Sequence, residues 1–175
     1  MATALHFRLA VDSDIPAITR ILNQSIQTGG QNAFTETVTE ADRANWLSHH
    51  PADRWPVFMI ESAAKVVGWC SFSPYRPERK SLSGLIEISY YLDKAAQGQG
   101  IGSATIDFML EEAQRLDYRH LFAVTMDTNI PSIRLLEKKG FAHWAHLPEV
   151  AVLNGKVCGQ VYLGRAVSKT ETEIF

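Results

Sequence analysis

The sequence predicts an α/β fold in which a mixed, mostly antiparallel sheet is flanked by helices. Two patterns predict it. Segments with apolar residues every three or four positions alternate with short runs rich in β-branched and aromatic residues, and three such runs follow one another directly in mid-chain. The 175 residues are 46% hydrophobic, which suits one domain with its own core. We assign residues 1–167 to this domain and the polar residues 168–175 to a C-terminal tail.

The first third of the chain predicts one strand and two helices. A strand over residues 6–11 precedes a helix that begins near Pro16, whose fixed φ suits a first helical turn, and stops at Gly29. Thr39, followed three residues later by an aspartate, has the pattern of an N-cap. It therefore predicts a second, shorter helix that ends before Pro51.

The remainder predicts six more strands and two more helices. The first three strands have no helical pattern between them, so we expect them to pair as antiparallel neighbours. A stripe of apolar residues predicts a long amphipathic helix, and a Pro near the start and a Gly after the end bound a second one. The predicted strands are 57–60, 66–72, 85–92, 120–126, 141–146 and 157–163, and the helices are 100–116 and 129–139.

Composition restricts the possible partners. The 17 basic and 19 acidic side chains give a net charge of −2, which argues against nucleic acid or an anionic membrane surface as the main partner. The two cysteines are far apart, so no disulfide framework or metal site is predicted. The N-terminus lacks a secretory pattern, and no apolar run approaches the ~18 residues that span a bilayer. We expect a cytoplasmic protein that binds a small molecule.

The most informative segment is a glycine loop between a strand and a helix. Glycines at positions 98, 100 and 102 leave the backbone bare, and the N–H groups of the following helix start can bind a phosphate. The loop lacks the Lys that a P-loop needs, and its spacing does not match the dinucleotide-binding fingerprint. A tight turn that serves only to cap the helix is the alternative.

Gln97-x-x-Gly100-x-Gly102 resembles the pyrophosphate loop of the GNAT N-acetyltransferases, which binds coenzyme A. A second motif of that family follows in order: a strand, then Asn129 and Ser132, then a helix that ends in the pair Gly140-Phe141. Two motifs in the right order are more specific than either alone. The resemblance implies the GNAT fold and acetyl-CoA as the acetyl donor, with no metal.

Further segments resemble the phosphinothricin and methionine sulfone acetyltransferases within that family, and the likeness runs from about residue 7 to residue 165. It implies a homodimer that acetylates the α-amine of a small amino acid or analogue, such as phosphinothricin, methionine sulfone or methionine sulfoximine. The segments are Phe34-Thr35-Glu36-Thr37, Tyr75-Arg76-Pro77, Glu87-x-Ser89-x-Tyr91 and Leu147-Pro148-Glu149-Val150.

The same resemblance implies roles for individual residues. Glu87, on a strand face shared with Ser89, is the candidate general base, because a carboxylate among apolar neighbours has a raised pKa. Tyr91 is a second catalytic candidate. The residues expected to bind coenzyme A are Tyr90, Tyr91 and Leu92 through their backbone, the loop Gln97, Gly98, Gln99, Gly100, Ile101, Gly102 and Ser103, and Asn129 and Ser132. Those expected to bind the amine substrate are Phe34, Glu36, Arg76, Glu87 and Ser89.

Other interpretations of these residues stay open. Glu87 and Arg76 are also compatible with solvated surface charges, Asn129 with a helix N-cap, and Phe34 and Glu36 with packing and capping of their loop. Leu136 stands where many GNAT enzymes have a Tyr that can protonate the leaving thiolate, so a tyrosine of the strand, water or no acid at all serves instead. The alternatives for function are another amine substrate (a polyamine, an aminoglycoside or a protein N-terminus), a non-catalytic acyl-CoA-binding module, and a nucleotide-binding module.

Overall fold

A computed structural model describes residues 4–167 and has seven strands and four α-helices in that range. The predicted fold class is confirmed, whereas the predicted tail, 168–175, lies outside the described residues. The elements are β1 (Leu5–Leu9), α1 (Ile15–Thr28), α2 (Glu40–Ser48), β2 (Val57–Ser62), β3 (Lys65–Pro74), β4 (Leu85–Leu92), α3 (Ile101–Arg115), β5 (His120–Met126), α4 (Ile130–Lys138), β6 (Ala142–Leu153) and β7 (Lys156–Ala166).

The seven strands form one sheet in the order β1-β2-β3-β4-β5-β7-β6. Every pair is antiparallel except β4 with β5, and the predicted antiparallel pairing of β2, β3 and β4 is confirmed. The parallel pair is short, because Leu85–Glu87 pairs with His120–Phe122 and no pairing follows. From Ile88 to Leu92, β4 is therefore paired with β3 alone, and its other edge is open.

Apolar side chains pack on both faces of the sheet. On one face, Ile86 and Ile88 of β4 pack with Ile106 and Met109 of α3 in the larger core cluster. On the other face, α1 packs against β2 and β3 around Trp69, and Tyr91 contacts this second cluster. Because side chains alternate along a strand, Glu87 and Ser89 share the face of Tyr91 and point away from α3.

The last hairpin differs from its prediction. β6 continues to Leu153, well past the predicted end at residue 146. The pairing with β7 shifts between Leu147 and Ala151, so Pro148 lies in a bulge, where its missing N–H removes no ladder hydrogen bond. Because this proline interrupts the apolar pattern, the sequence prediction missed the second half of the strand.

Truncating a core side chain tests the packing that holds α3 against β4. Met109 is fully buried in the larger cluster, and Met109→Ala is expected to lower the free energy of unfolding by about 2–5 kcal/mol. Urea denaturation followed by circular dichroism measures this loss. Glu111→Ala, on the exposed side of the same helix, is the control and should change stability by no more than about 0.5 kcal/mol.

Candidate active site

The opening between β4 and β5 leads into a cavity of about 530 Å³, which we call the glycine-loop cavity. One wall is the open edge of β4, and the other walls come from β5, the glycine loop and α4. Its lining includes Ile88, Ser89, Tyr90, Tyr91, Leu92, Gln97, Gly98, Gly100, Gly102, Ser103, Ala123, Val124, Thr125, Asn129, Ser132, Leu135 and Lys138.

The glycine loop presents bare backbone to this cavity. Gly98 and Gly100 have φ of +75° and +80°, the left-handed region that favours glycine, and a Cβ at either would meet no atom within 4 Å. Gly100 is also the N-cap of α3. Gly102 has a different reason to be glycine, since a Cβ there would lie 3.0 Å from Leu135 Cδ2 of α4. Bare backbone at the start of a 15-residue helix fits a pyrophosphate group.

Side chains of β4, β5 and α4 are joined across the cavity. The hydroxyl groups of Tyr90 and Ser132 form a hydrogen bond of 2.7 Å. Asn129 is the N-cap residue of α4, but its side chain makes no capping bond. Its Nδ2 donates instead to Thr125 Oγ1 at 3.0 Å and to the carbonyl of Gln31 at 3.4 Å. The Asn129 side chain therefore orders the cavity wall and does not cap the helix.

Lys138, at the end of α4, lines the same cavity and was not singled out from the sequence. It is exposed, so its ammonium can approach a phosphate without a large desolvation cost. The sequence signal was available, since Lys138 lies two residues before Gly140 in the second motif.

We expect Lys138→Gln to weaken coenzyme A binding about 2- to 5-fold, because exposed charge pairs contribute at most about 1 kcal/mol. The effect should shrink as salt is added. Titration calorimetry at two ionic strengths measures both. Lys156→Gln is the control, since Lys156 is exposed on β7 and lines neither cavity described here. An equal loss in both variants, or a loss that salt leaves unchanged, would contradict the assignment.

A second cavity of about 290 Å³ lies on the α1 face of β4, and we call it the Glu87 cavity. Glu87, Ser89 and Tyr91 point into it from alternate positions of β4. The other walls come from β3, β5, β7, both N-terminal helices and the α1–α2 loop, through Leu22, Asn32, Ala33, Phe34, Arg43, Trp46, Trp69, Ser71, Ser73, Val124, Thr125, Met126 and Gln160.

Glu87 is half-buried at the wall of this cavity. Within residues 4–167 no group donates a hydrogen bond to its carboxylate or forms an ion pair with it. Burial raises the pKa of Glu87 above its usual value. A carboxylate with a raised pKa and no internal partner is equipped to accept a proton from a ligand in the cavity.

Tyr91 lies beside Glu87 and packs its ring on Trp69, with ring centroids 4.7 Å apart. Burial, and secondarily the charge of Glu87, raise the pKa of Tyr91 to about 12. The hydroxyl therefore stays protonated near neutral pH. This pKa lies well above the ~8.5 of a thiol, so proton transfer from Tyr91 to a thiolate would be uphill. Tyr91 is better suited to donating a hydrogen bond than to acting as the acid.

The two cavities share part of their walls. Ser89, Tyr91, Val124 and Thr125 line both of them, at the place where β4 and β5 separate. A ligand that follows the open edge of β4 from the glycine loop therefore ends beside a ligand held next to Glu87. This is the geometry that a reaction between two bound molecules requires.

Some predicted site residues lie outside both cavities. Glu36 and Arg76 are exposed and line neither one, and the Arg76 guanidinium lies 5.6 Å from the ring centroid of the adjacent Tyr75. Gln99 donates to the carbonyl of Ala95, and the Ile101 side chain is buried below the loop. Leu136 of α4 is fully buried in the larger core cluster. Phe34, by contrast, does line the Glu87 cavity.

Comparison with known protein families identifies the family of the protein that contains these two cavities. The acetyltransferase (GNAT) domain matches residues 4–142, which is most of the chain. The chain belongs to the GNAT acetyltransferase family. The family and fold predicted from the glycine loop are thereby confirmed, and so are the prediction of an N-acetyltransferase and that of acetyl-CoA as the acetyl donor.

Individual GNAT proteins resemble the chain over nearly its whole length. A Bacillus subtilis (strain 168) protein provisionally named a phosphinothricin acetyltransferase is 36% identical over 94% of this chain and 100% of its own. The L-methionine sulfoximine/L-methionine sulfone acetyltransferase of Salmonella typhimurium is 30% identical over 87% of this chain and 88% of its own. The solved structure of a Sinorhizobium meliloti phosphinothricin acetyltransferase with acetyl-CoA superposes with a TM-score of 0.87 at 26% identity, over 95% of this chain and 89% of that one.

Among residues 4–167, no three His, Cys, Asp or Glu side chains are grouped as a metal site would require. Within the same range, no helix is long and apolar enough to cross a membrane.

Proposed function

We propose that this GNAT enzyme, with residues 1–167 as its catalytic domain, acetylates the α-amine of a small amino acid or analogue of the phosphinothricin or methionine sulfone type. The observation that carries the proposal is the unpaired Glu87 carboxylate, which lines the Glu87 cavity on the same strand face as Ser89 and Tyr91, two residues that line both cavities. Acetyl transfer would form a bond between the amine nitrogen and the carbonyl carbon of the donor's thioester. It would break the C–S bond, so that coenzyme A leaves as a thiolate, whose conjugate thiol has a pKa of only about 8.5.

Glu87 prepares the amine for attack. An amine near neutral pH is mostly protonated and cannot attack until it loses a proton. The raised pKa of Glu87 makes it a stronger base than an ordinary surface carboxylate, and on β4 it lies two residues before Ser89, which belongs to the shared wall of the cavities. Proton transfer goes from the ammonium to the Glu87 carboxylate, directly or through one water.

The open edge of β4 positions the donor. Between Ile88 and Leu92, alternate backbone N–H and C=O groups point away from β3 and have no strand partner on the β5 side. They can pair with the amides of an extended pantetheine arm, as an added strand would. A backbone N–H aimed at the thioester oxygen also stabilises the negative charge that develops there. We assign the pyrophosphate to the loop 97–103.

The size and charge of the Glu87 cavity support an amino acid as acceptor. A volume of about 290 Å³ suits a small molecule. One carboxylate, Glu87, and one guanidinium, Arg43, are the charged groups among its lining residues. This balance suits a zwitterion, whereas a polyamine or an aminoglycoside would call for several acidic groups.

The proposal is tested by measuring thiol release from acetyl-CoA with a panel of amines. The panel contains phosphinothricin, methionine sulfone, methionine sulfoximine, standard amino acids, spermidine and an aminoglycoside. We expect the highest kcat/KM with the amino acid analogues. Turnover confined to spermidine or the aminoglycoside would contradict the substrate class, and acetyl-CoA binding without turnover of any amine would favour a non-catalytic binding module.

We also propose that the enzyme is a cytoplasmic homodimer. Both cysteines, Cys70 and Cys158, are buried and unpaired, which suits a reducing compartment. The β6–β7 hairpin carries apolar side chains that are strongly exposed, and the cross-strand partners Val152 and Val157 are 62% and 61% exposed. Apolar residues clustered on one hairpin are typical of a protein interface, and a second copy is the partner that we assign to it.

A charged residue introduced on this hairpin tests the proposed dimer. Val152→Lys is expected to shift the protein from dimer to monomer, because it places an ammonium group in an apolar interface. Sedimentation equilibrium measures the mass. Lys65→Glu, an exposed change at the start of β3, is the control and should leave the dimer intact. A monomeric wild-type protein at micromolar concentration would contradict the proposal.

A further inference from the structure

Two buried N–H donors at the Glu87 cavity lack an acceptor. Nε of Arg43 and Nε1 of Trp69 have no hydrogen-bond partner within residues 4–167, and both residues line the cavity. Folded proteins leave few buried donors unpaired, because such a donor gives up its hydrogen bonds to water without gaining a partner. Two of them at one cavity indicate that a ligand supplies the acceptor.

Arg43 is held as an uncompensated cation. It lies in the first half of α2, and its guanidinium lies 5.2 Å from the ring centroid of Trp46. The adjacent Asp42 is engaged elsewhere, since its carboxylate accepts from the backbone N–H and the hydroxyl of Thr39 in the capping box. No ion pair of Arg43 exists among the described side chains. Burial lowers the pKa of Arg43, but an arginine stays charged.

Arg43 and Glu87 carry opposite charges, and both affect the pKa of Tyr91. Tyr91 lines the same cavity, and its pKa, which burial raises most, is also raised by the charge of Glu87 and lowered by that of Arg43. An α-amino acid carries its ammonium and its carboxylate on one carbon. A cavity that presents a carboxylate and a guanidinium beside one tyrosine therefore matches both charges of such a molecule.

We propose that Arg43 binds the α-carboxylate of the amino acid substrate, with Trp69 Nε1 as a second donor, while the amine faces Glu87. This inference rests on the proposed function. The planar guanidinium can donate two parallel hydrogen bonds to a carboxylate, which fixes orientation as well as affinity. Arg43 is thus the residue that selects amino acids over simple amines.

The test combines two arginine variants with two substrates. The substrates are methionine sulfone and 3-(methylsulfonyl)propylamine, which is the same molecule without its carboxylate. The variants are Arg43→Gln and Arg76→Gln, in which Arg76 is the competing candidate for the carboxylate, exposed and lining neither cavity. The readout is kcat/KM for each pair, with coenzyme A affinity as a check on folding.

Wild-type enzyme is expected to prefer the amino acid. Arg43→Gln should lower kcat/KM for methionine sulfone about 10- to 100-fold, mainly through KM, because charge-assisted hydrogen bonds contribute about 1.5–3 kcal/mol. The same variant should change kcat/KM for the amine less than about 3-fold. Trp69→Phe keeps a ring against Tyr91 but removes Nε1, and it should produce a smaller loss confined to methionine sulfone.

Three results would overturn the inference. An equal loss of kcat/KM on both substrates in Arg43→Gln would show that Arg43 has a structural role. Loss of the preference for methionine sulfone in Arg76→Gln would assign the carboxylate to the exposed loop. A wild-type enzyme without that preference would show that the carboxylate is not recognised. A wild-type enzyme that binds acetyl-CoA yet acetylates neither compound would contradict the proposed function itself, and the inference with it.

Discussion

Glu87→Gln is expected to lower kcat/KM for acetylation of the preferred amine about 10²- to 10⁴-fold near neutral pH, the range typical of a lost general base. The substitution keeps the shape of the side chain but removes its ability to accept a proton. Coenzyme A affinity should be unchanged, because the Glu87 side chain lines the Glu87 cavity and not the glycine-loop cavity. Steady-state rates of thiol release, with calorimetric titration of coenzyme A, measure the two effects separately.

The pH dependence gives this prediction a second readout. Because burial raises the pKa of Glu87, the acidic limb of the wild-type kcat/KM profile should lie above the 4.5 of an ordinary glutamate, and the limb should disappear in Glu87→Gln. A limb that persists in the variant would assign the base to another residue.

The stability contributed by Glu87 should fall with rising pH over the range in which activity rises. A carboxyl whose pKa is raised on folding binds its proton more tightly in the folded state, so stability falls as the pH rises from the unfolded-state pKa through the folded one. Above that window the wild-type enzyme holds a charged, desolvated carboxylate without a partner. Glu87→Gln should therefore keep or raise Tm near neutral pH, and a variant that loses Tm together with activity would indicate a structural role.

Gly100→Ala is expected to weaken coenzyme A binding at least about 10-fold, or about 1.4 kcal/mol. Gly100 has a φ of +80° at the N-cap of α3, and an alanine there carries about 1–2 kcal/mol of backbone strain. Its methyl group also covers the backbone that a phosphate must approach. Calorimetric titration with coenzyme A measures the affinity.

Gly155→Ala is the matched control for this substitution. Gly155 has a φ of +76° in the β6–β7 turn, and an added Cβ there, as at Gly100, meets nothing within 4 Å. Both variants should lose a similar amount of stability from strain, but Gly155 lines neither cavity and should leave coenzyme A binding unchanged. Equal affinity of both variants for coenzyme A would contradict the assignment of phosphate binding to the glycine loop.

The order and type of the elements were predictable because their signals are local. The capping box at Thr39 forms as its spacing indicates, and α1 ends at Gly29 with φ of +77°. The alternation on β4 also predicted correctly that Glu87 and Ser89 share a face. The glycine loop was recognisable because bare backbone before a helix has few uses other than a tight turn or a phosphate site.

The walls of the Glu87 cavity were not predictable, because they form from segments distant in sequence. Arg43 follows the capping aspartate of a short polar helix and has the pattern of a surface charge, yet the packing of α2 brings it to a cavity built on β3 and β4. Arg76 was the opposite case: the resemblance favoured it, and the structure places it in an exposed loop. Only the tertiary arrangement distinguishes these two arginines.

The most direct test of the two-cavity arrangement is a crystal structure of the enzyme with coenzyme A and methionine sulfone bound together. We expect the pyrophosphate at residues 97–103, the thiol beside Tyr91, and the amine within hydrogen-bonding reach of Glu87, directly or through one water. An amine bound away from Glu87, or a pyrophosphate bound away from the glycine loop, would contradict the mechanism proposed for this enzyme.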